Sequence, residues 1–159
     1  MVTIVELHSG KGDLCRRILA ALPQWFGIPE AVDQYVAGVE ALPMYVARSD
    51  GEHVGFVSVK AHTPAAAEVY VTGVLPFWHR RGVGRMLFAA AEEAALRRGA
   101  RFLTVKTLAP DHPDPHYAAT RRFHEAVGFA PIEIFPTLWH PQTPCLLMLK
   151  PLVPPGRGS

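Results

Sequence analysis

The residues with the most pointed chemistry lie between Arg80 and Arg85, where two glycines, Gly82 and Gly84, sit among three arginines, Arg80, Arg81 and Arg85. If a helix begins here, its first-turn amides have no intrahelical acceptor and carry the positive end of the helix dipole. The glycines remove the Cβ atoms that would hold a ligand away from those amides, and the guanidinium groups add charge. This combination predicts a site for a phosphate or pyrophosphate. The loop lacks the Lys-Ser/Thr pair with which a nucleotide-phosphate loop holds nucleotide and magnesium, so a generic nucleotide site fits less well.

Two other groups of reactive side chains carry less. Cys15 and Cys145 are far apart, have no Cys-x-x-Cys spacing, and lack an ordered His/Asp partner for thiol nucleophilicity. His112 and His116 stand with Asp111 and Asp114 in a segment interrupted by Pro110, Pro113 and Pro115. Those prolines rule out helical i, i+4 ligand spacing, no second cluster completes a shell, and the segment reads as a solvated loop with no metal.

The elements that must position the anion site are legible around it. Val69 to Leu75 is an apolar run suited to a buried strand, and after Pro76 the pattern changes at Gly82 to helical period. Val83, Met86, Leu87, Ala90, Ala91 and Ala94 then share one stripe. Arg97, Arg98 and Gly99 form a helix stop, with cations at the negative end of the dipole. Upstream, Met1 to Leu7 predicts a strand, Asp13 caps a helix reaching Leu22, and a second helix spans about Glu30 to Glu40. Between them Trp25 and Phe26 suit either core packing or the wall of an acceptor pocket. Met44 to Arg48 and His53 to Lys60 make a hairpin around Asp50-Gly51.

Downstream, Arg101 to Leu108 predicts a parallel partner strand reached by a right-handed crossover. Ala109 to His116 is a proline-rich loop, and with Trp139 and His140 it suits the acceptor side of a site. A short helix from Tyr117 stops at Gly128. Phe129 to Phe135 and Cys145 to Lys150 supply two last strands, and residues 151–159 read as a flexible tail. The chain is therefore expected to be α/β, with a mixed, twisted central sheet of about six to seven strands flanked by helices.

Composition narrows the class of partner. The 159 residues are 49% hydrophobic with a net charge of +2, enough apolar content for a core without disulfide or metal support. Several of the positive residues cluster at the proposed anion site, which accounts for the mild basicity without nucleic acid, and no stretch approaches a membrane span. The cysteine usage and the N-terminus predict a reduced, cytoplasmic protein.

The string Val74-Leu75-Pro76-Phe77-Trp78-His79-Arg80-Arg81-Gly82-Val83-Gly84 resembles the acetyl-CoA motif of the GNAT superfamily of N-acetyltransferases. There a strand ending Val-x-Pro is followed by Arg or Gln, two residues, Gly, any residue, then Gly or Ala. His79 occupies the Arg/Gln position, a departure that leaves the backbone amides available. Thr120 to Phe129 is similar to the family's Ala-x-x-Phe-Tyr-x-x-x-Gly-Phe segment, with His124 where Tyr is common and Tyr117 where Asn is frequent. With the order of elements, the resemblance covers most of the chain and implies one GNAT-like domain over residues 1–150. It implies that Gly73, Val74 and Leu75 hold the pantetheine arm, while His79, Arg80, Arg81, Gly82, Val83, Gly84 and Arg85 form the pyrophosphate loop. Tyr117 lies beside the thioester.

The activity so implied is direct acetyl transfer from acetyl-CoA to an amine of a small molecule or peptide, with no covalent intermediate. The alternative is a non-catalytic acyl-CoA binding or sensing domain. An aliphatic ammonium, with a reference pKa of about 10, must lose a proton before it can attack. Glu68, in an otherwise apolar strand, is a candidate base, directly or through water; capping the strand edge or pairing with an arginine is its structural alternative. Tyr117 and His124 are both candidates to protonate the leaving thiolate, and histidine is ordinarily tuned near neutral pH. A homodimer through the last strands remains an open expectation.

Overall fold

A computed structural model of the chain describes residues 1–154. Seven strands are joined in the order β1-β2-β3-β4-β5-β7-β6: Val2–Leu7, Met44–Ser49, Glu52–Ala61, Ala66–Val74, Phe102–Leu108, Thr143–Pro151 and Ala130–His140. The helices are α1 (Lys11–Ala20), α2 (Pro29–Gly38), α3 (Val83–Arg97) and α4 (Pro115–Ala126), with 3-10 turns at Val39–Ala41 and Pro76–Trp78. The expected mixed sheet flanked by helices is present. Two compact units divide the chain, Met1–Lys60 with Val69–Ala94, and Ala61–Glu68 with the chain from Ala95 onward.

In the first unit, β1, β2 and β3 are antiparallel neighbours, and the β2–β3 turn has Asp50 and Gly51 at φ 48° and 80°. Two successive left-handed residues match the twist of the strands they join, which is why Asp-Gly serves there. Leu14, Ile18 and Leu19 of α1 are buried with Met44, Val46 and Phe56. The start of α1 is not capped by Asp13, which lies inside the first turn; Gly10, at φ 69°, precedes the helix. A side chain from further along fills the capping role, since Glu40 Oε1 accepts the Gly12 N–H at 2.7 Å.

α3 departs from its predicted stripe at one position. Val83, Leu87, Ala91 and Ala94 are buried as expected, but Met86 is 36% exposed. Phe88 and Ala95 are buried instead, which extends the apolar face on the side away from Met86.

In the second unit, β4 and β5 are parallel over Ala66–Glu68 and Phe102–Thr104, while β5 and β6 each pair antiparallel with β7. Three sequence boundaries shift. α4 begins at Pro115 rather than Tyr117, because proline suits the first helical position and Asp114 caps it, its carboxylate accepting from the His116 N–H at 2.8 Å. β6 continues to His140, so Trp139 and His140 belong to a strand rather than a loop. β7 reaches Pro151, and Leu152 is buried with its N–H on the Arg101 carbonyl. Of the tail expected to be flexible, residues 155–159 lie outside the described residues.

Candidate functional site

The candidate anion site lies where β4 ends. Val74 is the last residue of the strand, Leu75 donates its N–H to the Val54 carbonyl at 2.9 Å, and a 3-10 turn leads into the glycine loop. Arg80 at φ 61° and Gly82 at φ 83° coil the loop tightly. For Arg80 this left-handed conformation costs roughly 1 kcal/mol, a strain the loop geometry imposes. The first intrahelical bond shown at this end is Met86 N–H to the Gly82 carbonyl at 3.2 Å. The amides of Val83, Gly84 and Arg85 precede it and have no acceptor within the helix.

These residues fit a pyrophosphate. A Cβ built on Gly82 meets nothing within 4 Å, so the approach beside the helix start is open. Val83 turns its side chain into the core at 1% exposure and offers only its amide. Arg80 and Arg85 are exposed. Arg81 is committed locally: its Nε donates to the Phe77 carbonyl at 2.9 Å and its guanidinium lies 4.4 Å from the Phe77 ring centre.

His79, at the Arg/Gln position, donates from Nε2 to the Val74 carbonyl at 2.6 Å, and Trp25 meets its ring edge-on with centroids 5.7 Å apart. Gly73 faces α1: a Cβ there would lie 3.0 Å from Leu22 Cδ1 and 3.1 Å from Ile18 Cγ2. An added side chain would press on both, so the strand packs closely against α1 and the turn that follows it.

The catalytic candidates belong to the second unit. Glu68 is 5% exposed in β4, opposite Thr104 of β5. Its Oε1 is 2.6 Å from His62 Nε2 and its Oε2 is 3.1 Å from Lys106 Nζ. The partners of the carboxylate are thus a histidine and a lysine, not an arginine. Neither His62 nor Lys106 was singled out by sequence, although Lys106 in the apolar strand Phe102–Leu108 is the same kind of signal as Glu68 in its own strand. Two opposite charges in neighbouring apolar strands are best explained by each other.

Tyr117 and His124 are seven residues apart on α4, about two turns, which places them on one face. Tyr117 is half-buried. His124 is buried, with the rings of Phe123 and Phe129 centred 6.1 and 5.9 Å from its own. Burial pushes its pKa down to about 4, so the near-neutral titration expected of a histidine is not found here. The cysteines are both buried thiols. Burial raises Cys15 to about 12 and Cys145 to about 11, the latter against the pull of Lys106. Neither offers thiolate at neutral pH.

The order of the residues in this frame is matched by the family model for the acetyltransferase (GNAT) family over residues 15–129. The chain belongs to the acetyltransferase (GNAT) family. With membership comes the enzyme class, an acetyl-CoA-dependent N-acetyltransferase. No curated protein sequence matches the chain.

Among solved structures, the ribosomal-protein-S18-alanine N-acetyltransferase from Escherichia coli superposes with a TM-score of 0.75 at 20% identity, over 100% of this chain and 99% of that one. The aminoglycoside 6'-N-acetyltransferase from Enterococcus faecium gives 0.72 at 17% identity, covering 96% and 98%. A GNAT family acetyltransferase from Elizabethkingia anophelis, with acetyl-CoA bound, gives 0.71 at 17%, covering 95% and 98%. At these identities the likeness is one of fold. Among the described residues no three His, Cys, Asp or Glu side chains gather as a metal shell, and no helix is long and apolar enough to cross a membrane.

Proposed function

We propose that residues 1–150 act as one acetyltransferase domain that moves the acetyl group directly from acetyl-CoA to a primary amine. The observation that carries this reading is the helix start at Val83, where first-turn amides, the open face of Gly82 and exposed Arg80 and Arg85 together suit the coenzyme pyrophosphate. Acetyl-CoA supplies an activated acyl group as a thioester. Backbone from Gly73 to Leu75 holds the pantetheine arm, and its amides favour negative charge on the thioester oxygen. Glu68 is the carboxylate that drives removal of the amine proton. A C–N bond forms, the C–S bond breaks, and the leaving thiolate takes a proton from Tyr117. His124, neutral and enclosed by aromatic rings, serves the packing of α4 in this reading.

The acceptor is an amine of a small molecule or peptide. The fold neighbours act on aminoglycosides and on a ribosomal protein alanine, so both classes belong in the first acceptor panel. The setting proposed is the cytoplasm. A homodimer is supported by the exposed apolar side chains of β6, Ile132, Ile134, Leu138 and Trp139. Pro131 and Pro136 withhold amides from that strand, so such a dimer packs side chains rather than extending the sheet.

Direct transfer is tested by rapid-mixing measurement of thiol release. Without amine, no burst of coenzyme A is expected. A burst of one equivalent per enzyme would show an acyl-enzyme and contradict the reading.

A further inference from the structure

The carboxylate of Glu68 is poorly placed to meet a substrate amine itself. Its side chain is 7% exposed, Oε1 is held by His62 and Oε2 by Lys106. Of the three groups, Lys106 is a cation and has no lone pair to offer, whereas the His62 side chain is 39% exposed. A carboxylate only accepts, so His62 Nε2 donates to Glu68 Oε1, and in the neutral ring this arrangement leaves the lone pair on Nδ1. The backbone that carries the ring is also held in place. The His62 N–H bonds the Ala66 carbonyl at 3.0 Å, the Thr63 N–H bonds the same oxygen at 3.3 Å, and Thr63 Oγ1 accepts from the Ala65 and Ala66 amides at 3.2 and 3.1 Å. Residues 62–66 are therefore a tight turn that presents the imidazole from a fixed backbone.

We propose that His62 is the base that takes the amine proton, with Glu68 as its positioning residue and Lys106 as the anchor of Glu68. The proposal rests on the acetyltransferase reading above. As the amine nitrogen bonds the acetyl carbon and the C–S bond breaks, the proton leaves the nitrogen for His62 Nδ1. The imidazolium so formed lies against the Glu68 carboxylate, and it returns its proton to solvent after product leaves. Lys106 of β5 faces this pair, and the thiol of Cys145 of β7, which feels both Lys106 and Glu68, stays neutral.

The test has two arms. The first is nitrogen NMR of the imidazoles in the wild-type protein, which reports the tautomer without any acceptor. His62 is expected as the Nε2–H form, and Glu68→Gln should disturb it. The second is acetyl-CoA turnover against monoamines, polyamines, amino acids, aminoglycosides and peptides with free N-termini. His62→Ala should lower kcat/KM about 100-fold with the KM for acetyl-CoA unchanged, and added imidazole should restore part of the rate. His62→Gln, which keeps a donor to Glu68, should fold like the wild type yet remain slow and without rescue. An Nδ1–H tautomer, or an unchanged rate in His62→Ala while the wild type turns over, would overturn the proposal alone. Absence of transfer by the wild type across the whole panel would overturn the acetyltransferase reading and this proposal with it.

Discussion

His79 closes the end of β4 by donating its Nε2 proton to the carbonyl of Val74 across 2.6 Å. A side chain at the family's Arg/Gln position thus works on the strand end, and the proposed coenzyme site rests on the helix amides instead. His79→Gln retains a donor of similar reach and should change acetyl-CoA affinity by less than about threefold. Gly84→Val puts a branched side chain among the first-turn amides and should weaken binding about tenfold or more, which is roughly 1.4 kcal/mol. Calorimetric titration with acetyl-CoA measures both, and equal affinity in Gly84→Val would remove the anion site from the account.

His124 makes stability depend on pH in a definite sense. Its pKa falls from 6.5 to about 4 on folding, so between these values the unfolded chain binds the proton and the folded chain does not. The stability contributed by keeping the ring neutral is complete above about pH 6.5 and is lost as pH falls towards 4, by about 3 kcal/mol in all. Urea unfolding from pH 7 to pH 4 should show this loss in the wild type and a flatter profile in His124→Phe. Parallel profiles would contradict the burial argument.

Cys15 and Cys145 should resist alkylation. With pKa values raised to about 12 and about 11, neither supplies appreciable thiolate at pH 8, and both are fully buried. Iodoacetamide should label the native protein far more slowly than the urea-unfolded protein, and the double variant Cys15→Ala, Cys145→Ala should retain acetyl transfer. Loss of turnover in a folded double variant would revive a thiol nucleophile.

Gly73→Ala tests the close approach of β4 to α1. The added methyl meets Leu22 Cδ1 at 3.0 Å and Ile18 Cγ2 at 3.1 Å, both within a packed core. Overpacking of this kind costs about 1–3 kcal/mol, read as a lower urea midpoint with an unchanged slope. No change in the midpoint would mean that the glycine is not required by α1.

Much of this arrangement was legible in the residues themselves. The apolar run before Pro76 and the change of period at Gly82 located the strand and helix that carry the candidate anion site, because both are continuous signals several residues long. Asp50-Gly51 and Gly99 marked turns for the conformational reason that they adopt positive φ. What stayed hidden depended on partners distant in sequence. Glu40, rather than the local Asp13, caps α1 from 28 residues away. His62 and Lys106 acquire meaning only once the parallel pairing of β4 and β5 brings Lys106 to Glu68, 38 residues apart. His124 looked like a group poised near neutral pH until its enclosure by Phe123 and Phe129 was known, and β6, exposed at every position but Phe135, shows no alternation of apolar and polar residues that would mark its full length.

The most direct test of the central claim is amine-dependent release of coenzyme A from acetyl-CoA, compared between wild type and Glu68→Gln across the amine panel, with calorimetric titration of acetyl-CoA on both proteins. Equal acetyl-CoA affinity, with wild-type turnover that depends on amine and falls about 100-fold in Glu68→Gln, is the predicted result. Binding without release by the wild type for any amine would describe an acyl-CoA sensor, and equal turnover in the two proteins would contradict the role given to Glu68.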